Sequence, residues 1–403
     1  MLTKQEILKK CTKTKITIII VTIIFIYLFM FRILIHERFY IHNSKSFKIS
    51  QKVVTKRLLR IAQISPPEIS VPPKKYGSIE RTISYLTEEL VKRGHDQLIH
   101  YFRPAYNKEP IPMERYEWLF NQVRMMAAKF EILHFHTGEH FEFVDEICKG
   151  NRVTCIVTAH DFMKWYPTLG FEHNRLPLIT ISDDQKLHSS GNPNYIGTAY
   201  HGLPKNQYKF IEKPFSKKPY LAFLARMVPE KKPDMAIEIA VKLGFHLKIG
   251  AKIIENYYDY WDKINKLIEK HKNIVEFVGE VNETQKNDFL GNANAFLNPI
   301  NWPEPFGMVM IESMACGTPV VARNMGAVPE VIDDGISGVT FNTVEEGVEA
   351  VKKAIKMNRK KVREAFERRF TIEKNVDRIE EIYIKRLNLE KYRFKSILLI
   401  ISW

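Results

Sequence analysis

The 403-residue chain contains no Asp-x-Asp pair, no Gly-x-Gly-x-x-Gly and no Gly-rich loop ending in Gly-Lys-Ser/Thr. The first absence removes a common acidic seat for a divalent cation. The other two remove the fingerprints of dinucleotide and P-loop phosphate binding. Cysteine is scarce: four residues, at 11, 148, 155 and 316, with no Cys-x-x-Cys among them. That pattern excludes a disulfide-built scaffold and a zinc site, and the cysteines read as buried, inert thiols. His134 and His136 alternate in "EILHFHT", but no third ligand follows, so no metal is expected.

Positive charge is what the chain has in excess, a formal +15. Residues 1–57 hold twelve Lys/Arg against two Glu, so about two thirds of the excess sits in that tail. Such a distribution favours a membrane-facing end over a nucleic-acid groove. No motif interleaves aromatic and basic residues, and no nucleic-acid partner is expected. Five lysines precede "ITIIIVTIIFIYLFMF" at 16–31, and Arg32 with "ILI" carries the run to Ile35. As a helix, 16–35 spans ~30 Å, about one bilayer core. The stretch "RILIHERFY", directly after the uncharged run, lacks the small residues of a cleavage site. A single-pass N-terminal anchor is therefore the expectation, against a cleaved signal peptide; the rest of the chain is placed in the cytoplasm, although basic residues flank the run on both sides. Residues 36–57 read as a polar, basic stem.

From Leu58 short apolar runs alternate with helical patterns. "LLRIAQIS", "HDQLIHYF", "EILHFHT", "VTCIVTAHD", "LPLITIS" and "YIGTAYHGL" read as strands. "IERTISYLTEELVKRG" places apolar residues at 79, 83, 86, 90 and 91, one helical face, and Gly94 stops it. A polar, Pro-punctuated linker spans 204–219, and a second strand–helix series of similar size occupies 220–372. Residues 373–403 read as a last helix plus a tail. The fold class is α/β, two Rossmann-like domains, 58–203 and 220–372, facing across a cleft. In such sheets ligands bind beyond the carboxyl ends of the strands.

Candidate site residues fall at those ends. In "NWPEPFGMVMIESMACGTPVVA" (301–322), a helix starting near Gly307 leaves its first amides unpaired, a seat for a diphosphate. Glu304 lies just outside that terminus, able to accept from sugar hydroxyls. Glu312, flanked by "MVMI" and "SMAC", can accept from a ribose diol. Glu304 as a plain helix cap and Glu312 as an ordinary helical acid remain the structural alternative, although an unpartnered acid in that setting is costly. Arg226 and Lys231 in "LARMVPEKKPDMA" sit between strand and helix, where two cations suit a diphosphate. A solvated basic loop is the other reading. His160 ends a strand and reads equally as a core histidine. Gly77 and Ser78 open the first long helix, as phosphate-facing amides or as an ordinary N-cap on Ser78.

Taken in order, these segments resemble retaining glycosyltransferases of family 4, which have the GT-B fold. The likeness runs from about Leu58 to about Leu387. It rests on the Glu304-x7-Glu312 segment together with "FLARMVPEKKPDMAIEIA", "YGSIERTISYLTEELVKRGHD", "TAYHGLP" and "GAVPEVIDDGISG". The resemblance implies transfer of a hexosyl group from a nucleotide-diphosphate sugar to an acceptor hydroxyl with retention, in envelope glycan or glycolipid synthesis. It assigns the transferred sugar to Glu304 and the ribose to Glu312. The diphosphate goes to Arg226, Lys231 and the amides of Phe306, Gly307 and Met308. His160 lies near the reacting centre, Gly77 and Ser78 face the phosphate, and the last helix crosses back onto the first domain. No cofactor or metal is implied, in keeping with the missing Asp-x-Asp. Relatives with segments like "PPKKYG" and "WPEPFG" make UDP-glucose the first donor to consider, with a glycan, lipid or small molecule as acceptor. Two positions depart from the family: Gly77-Ser78 stands where Gly-Gly is usual, and Ala225 where Gly is common. A non-transferring, epimerase-like enzyme of the same fold is the alternative, and a basic nucleic-acid binder a weaker one.

Overall fold

The computed structural model describes residues 57–67, 69–74, 77–100, 113–136, 141–150, 153–161, 176–188 and 194–401. The expected anchor at 16–35 and most of the stem lie outside them. Among the described residues, no helix is long and apolar enough to cross a membrane.

The first half runs β1 Arg60–Ile64, α1 Ser78–Lys92, β2 Asp96–His100, α2 Met113–Met126, β3 Ile132–Phe135, α3 Phe141–Gly150, β4 Thr154–Thr158, β5 Leu178–Thr180, α4 Asp183–His188 and β6 Tyr195–Thr198. Its strands are all parallel, in the order β2-β1-β3-β4-β5-β6. The strands β3 and β4 are buried along their whole length. Both faces of the sheet are covered, which is why these segments read as continuous apolar runs and not as alternation. The helix α1 ends as its sequence demands: Gly94 takes φ 92°, and the His95 amide reaches back to the Leu90 carbonyl.

The second half runs β7 Tyr220–Met227, α5 Pro233–Leu243, β8 His246–Ile253, α6 Tyr258–Lys270, β9 Val275–Gly279, α7 Glu283–Gly291, β10 Ala295–Asn298, α8 Met308–Ala315, β11 Val320–Arg323, α9 Val328–Val331, β12 Gly338–Phe341, α10 Val344–Ala354 and α11 Arg359–Arg369. Its parallel sheet has the order β12-β11-β10-β7-β8-β9. Each sheet reverses its strand order once, between β1 and β3 and between β7 and β10. The carboxyl ends beside those reversals are where an open parallel sheet makes room for a ligand.

The long α12, Ile372–Ile401, belongs by packing to the first half. The chain returns there through a short parallel bridge, Leu203 N to Phe370 O and Ile372 N to Leu203 O. Arg93 at the end of α1 then grips Asp377 and Glu380 at 2.8 Å each, and Tyr383 is wholly buried beside the first sheet. Gly197 admits this approach, since a Cβ there would lie 2.8 Å from Ile382 Cδ1.

One sequence expectation needs correction. Cys148 and Cys155 are joined in a disulfide that staples the end of α3 to β4, so they are not free thiols; Cys316 is free and buried. The basic stretch 351–369 is divided between the end of α10 and α11. Asn358 caps a new helix, and Arg359 and Arg363 turn inward onto backbone carbonyls. The linker 204–219 packs onto the second half, with Tyr208 buried and Ile211 N bonded to Cys316 O.

Candidate active site

The loop after β10 carries Glu304, and three contacts hold it. Its carboxylate pairs with Lys231 and accepts from Trp302 Nε1 at 2.8 Å. The Lys231 ammonium also lies 4.9 Å from the Trp302 ring centre. Lys231 and Glu304 are each only 14% exposed along the side chain. The Glu304 backbone is fixed from behind, where its carbonyl accepts from Ala327 N and Gly326 packs so closely that a Cβ would fall 2.3 Å from Glu304 N. Arg226 emerges half-buried at the end of β7 and forms no ion pair among the described residues. Lys232 sits at φ 52°, a conformation uncommon outside glycine, and closes the turn between Lys231 and α5.

Gly307, at φ 89°, forms the N-cap of α8 without any capping side chain. The helix's first amides therefore have no intrahelical partner. One and a half turns on, Glu312 is 3% exposed. Its Oε1 accepts from Lys286 Nζ at 2.8 Å, while its Oε2 is buried without a hydrogen bond among the described residues. Lys286 also meets Glu283 at 3.2 Å, and Glu283 takes Tyr208 Oη at 2.7 Å and Arg81 of α1 at 3.5 Å. Burial pushes the Glu283 carboxyl up, but Lys286, the Tyr208 hydroxyl and Arg81 outweigh it, and the net shift is downward. Burial pulls Lys286 down, and the two carboxylates overcome that too. The acid picked from sequence is thus one end of a charged network that reaches the other half of the molecule.

Phe306 is 2% exposed and turns away from the loop, so only its backbone is offered to a ligand. Its ring meets His201 edge-on at 5.2 Å, and His201 stacks on His160 at 5.2 Å with 10° between planes. Behind His160, His136 Nδ1 is 3.0 Å from His160 Nε2, and His134 bonds Tyr383 and Thr158. His160 therefore stands between the Glu304 loop and a histidine core. Burial lowers all four rings, His134 to about 3 and His201 to about 4, so they are neutral at ordinary pH. A cavity of about 20 Å³ lies among His134, His136, His160 and His201.

Gly77, not Ser78, is the N-cap of α1, at φ 146° and with no side-chain cap bond; Ser78 is the first, exposed helical residue. Across the cleft, Glu330 accepts from the amides of Asp183 and Asp184 at 2.8 and 2.6 Å and from Tyr200 Oη at 3.0 Å. Sequence reasoning missed Lys286, Glu283, Gln63, His201 and Glu330. Apart from the Lys286–Glu283 pair three positions apart, their partners lie between 26 and 320 positions away, which no local spacing announces.

Two parallel sheets, a bare helix terminus and acids on either side of it make an α/β protein of the GT-B-like kind. Residues 204–371 match the family described as Glycosyl transferases group 1. A D-inositol 3-phosphate glycosyltransferase of Mycolicibacterium smegmatis is 31% identical over 170 residues, 41% of this chain and 36% of that enzyme. The curated relatives are matched over 18% to 46% of their length. Among solved structures, a glycosyltransferase of avilamycin A biosynthesis, AviGT4, superposes with TM-score 0.64 at 22% identity, covering 82% of this chain and 98% of its own. Anabaena HepE in complex with UDP and glucose gives 0.63 at 16%, covering 80% and 98%. At these identities the likeness establishes the fold alone.

Proposed function

We propose that the protein transfers a hexosyl group from a nucleotide-diphosphate sugar to an acceptor hydroxyl with retention of configuration. The observation that carries this is Glu312: a buried carboxylate with one oxygen paired to Lys286 and the other unpaired among the described residues, one and a half turns inside a bare helix terminus. A buried acceptor left unpaired is costly, and a vicinal diol would satisfy it. In this reading the ribose sits on Glu312. The diphosphate meets the amides of Phe306, Gly307 and Met308, with Arg226 and Lys231 as counter-charges. Lys231 would exchange Glu304 for the phosphate, freeing Glu304 to accept from sugar hydroxyls. The bond from the anomeric carbon to phosphate oxygen breaks as the acceptor oxygen bonds the same face. The departing phosphate oxygen takes the acceptor proton. His160 borders the reacting centre, and Gly77 and Ser78 offer amides from the opposite half.

UDP-glucose is the first donor to try, since HepE was solved with UDP and glucose. The decisive experiment is a panel of nucleotide sugars against the purified chain, read by thermal stabilisation and by release of nucleoside diphosphate. One donor should raise the melting temperature and be turned over. Lys231→Ala and Glu304→Gln should each lose about a hundredfold or more in kcat. Full turnover in both variants, or no response to any nucleotide sugar, overturns the reading. The uncharged run 16–31 further supports a membrane anchor at 16–35, placing the enzyme beside a lipid or envelope-glycan acceptor. Release of the full-length chain from membranes by an alkaline carbonate wash would refute that.

A further inference from the structure

The histidine core can place its protons in two self-consistent ways, and the amide of Gln63 selects one. Gln63, wholly buried on β1, sets Oε1 2.7 Å from His136 Nε2 and Nε2 3.4 Å from the Tyr383 hydroxyl. A carboxamide oxygen only accepts, so His136 carries its proton on Nε2. Burial, then the charges of His134 and His201, keeps His136 neutral, and its Nδ1 is left to accept. The partner at 3.0 Å, His160 Nε2, must therefore donate. Burial, then His201 and His136, keeps His160 neutral as well, so its Nδ1 is a lone pair. That nitrogen is buried and bonds nothing among the described residues. The other branch runs in the same sense. The Gln63 amide donates to Tyr383, Tyr383 to His134 Nδ1 at 2.6 Å, and His134 Nε2 to Thr158 Oγ1 at 2.7 Å. Turning the Gln63 amide over would reverse every bond and leave a proton on His160 Nδ1.

We propose that Gln63 and His136 are positioning residues that hold His160 in its Nε2-protonated tautomer, presenting Nδ1 as the acceptor for a sugar hydroxyl in the cleft. The hydroxyl rests on the transferase reading; the tautomer does not. A buried lone pair with no partner among the described residues is a cost unless a ligand uses it. The titratable groups around His136 are His134, with ring centres 4.1 Å apart, His160 at 5.2 Å, His201 stacked beyond His160, and Tyr383 beyond His134.

Nitrogen-15 NMR of histidine-labelled, full-length protein reads the tautomer with no substrate, using His160→Gln to assign the signal. A proton on His160 Nε2 is expected; a proton on Nδ1 overturns the proposal. Gln63→Glu supplies the kinetic arm. Its carboxylate should raise the His136 pKa. Below that value His136 becomes an imidazolium whose Nδ1 donates to His160 and drives the His160 proton to the wrong nitrogen. Turnover of Gln63→Glu should fall about tenfold or more from about pH 8 to about pH 6 and return at about pH 8, while the unaltered protein changes less than about threefold. A Gln63→Glu profile parallel to the unaltered one also overturns the proposal. Loss seen in donor hydrolysis places the hydroxyl on the donor sugar, and loss confined to transfer places it on the acceptor. If the unaltered chain turns over no nucleotide sugar, the transferase reading falls and the NMR result still decides the tautomer.

Discussion

At the scale of single residues, the site is organised by groups that cannot be removed one at a time. Lys286 neutralises Glu312 in a place that is 3% exposed. Replacing Lys286 by Met strands a buried carboxylate and should cost about 3–5 kcal/mol, whereas replacing both Lys286 and Glu312 by Met should recover most of that. Urea unfolding of the three proteins checks it, and the double variant should stay stable yet lose donor-induced stabilisation. The histidines give a second prediction. Burial, then the charge of His160, pulls His134 from 6.5 to about 3. A depressed value means the unfolded chain binds the proton first, so stability is full above about pH 6.5 and is lost as the pH falls towards 3. At about pH 5 His134 alone should have removed roughly 2 kcal/mol. His134→Gln, which does not titrate, should flatten the dependence of the urea midpoint between about pH 7.5 and 5.

At the scale of elements, the decisive piece is the loop from β10 to α8, held from outside by residues much later in the chain. Gly326 takes φ 58° and leaves no room for a Cβ, whose nearest atoms would be Glu304 N at 2.3 Å and O at 2.5 Å. Gly326→Ala should push the Glu304 backbone aside and lower kcat about tenfold or more, since small misplacements of a binding group are expensive. Gly335→Ala is the matched control. Its φ is 76°, but nothing stands within 4 Å, so it carries the same kind of strain and should keep its activity. Steady-state kinetics and thermal melts of both variants separate strain from displacement. The sequence pattern "NPINWPEPFG" already showed a strand, a loop and a helix start. The bracing by Gly326 was not legible, because the contact joins positions 22 apart through backbone atoms alone.

At the scale of the whole molecule, the second half lends the first its closing helix. Ile372, Val376, Ile379, Ile382 and Tyr383 of α12 are all buried, and Tyr383 completes the hydrogen bonding of His134. Exposing these side chains would forfeit about 1.5–3 kcal/mol each, a total comparable to the stability of a typical domain. A chain ending at Thr371 should therefore lose cooperative folding of residues 58–203 and be cleaved there by protease under conditions that spare the full chain. A truncated protein that still melts in one sharp transition and resists cleavage would show that the first half stands without α12.

By itself the sequence determined the alternation of strands and helices, the parallel α/β class and the placing of Glu304, Gly307 and Glu312 around one helix start. These depend on periodicity and on spacing within about twenty residues, which local backbone geometry converts directly into position. Only the tertiary structure decided that Glu312 shares Lys286 with Glu283, that Cys148 bonds Cys155, that Gly77 caps α1 in place of Ser78, and that Gln63 orients His160 through His136. The cap is settled by backbone conformation at Gly77 and the disulfide by a turn of 7 positions, while the Lys286 and Gln63 contacts are settled by which side chains meet once the strands have been ordered. In parallel sheets that order joins segments far apart in the chain, so the partners of a buried polar atom carry no local signature.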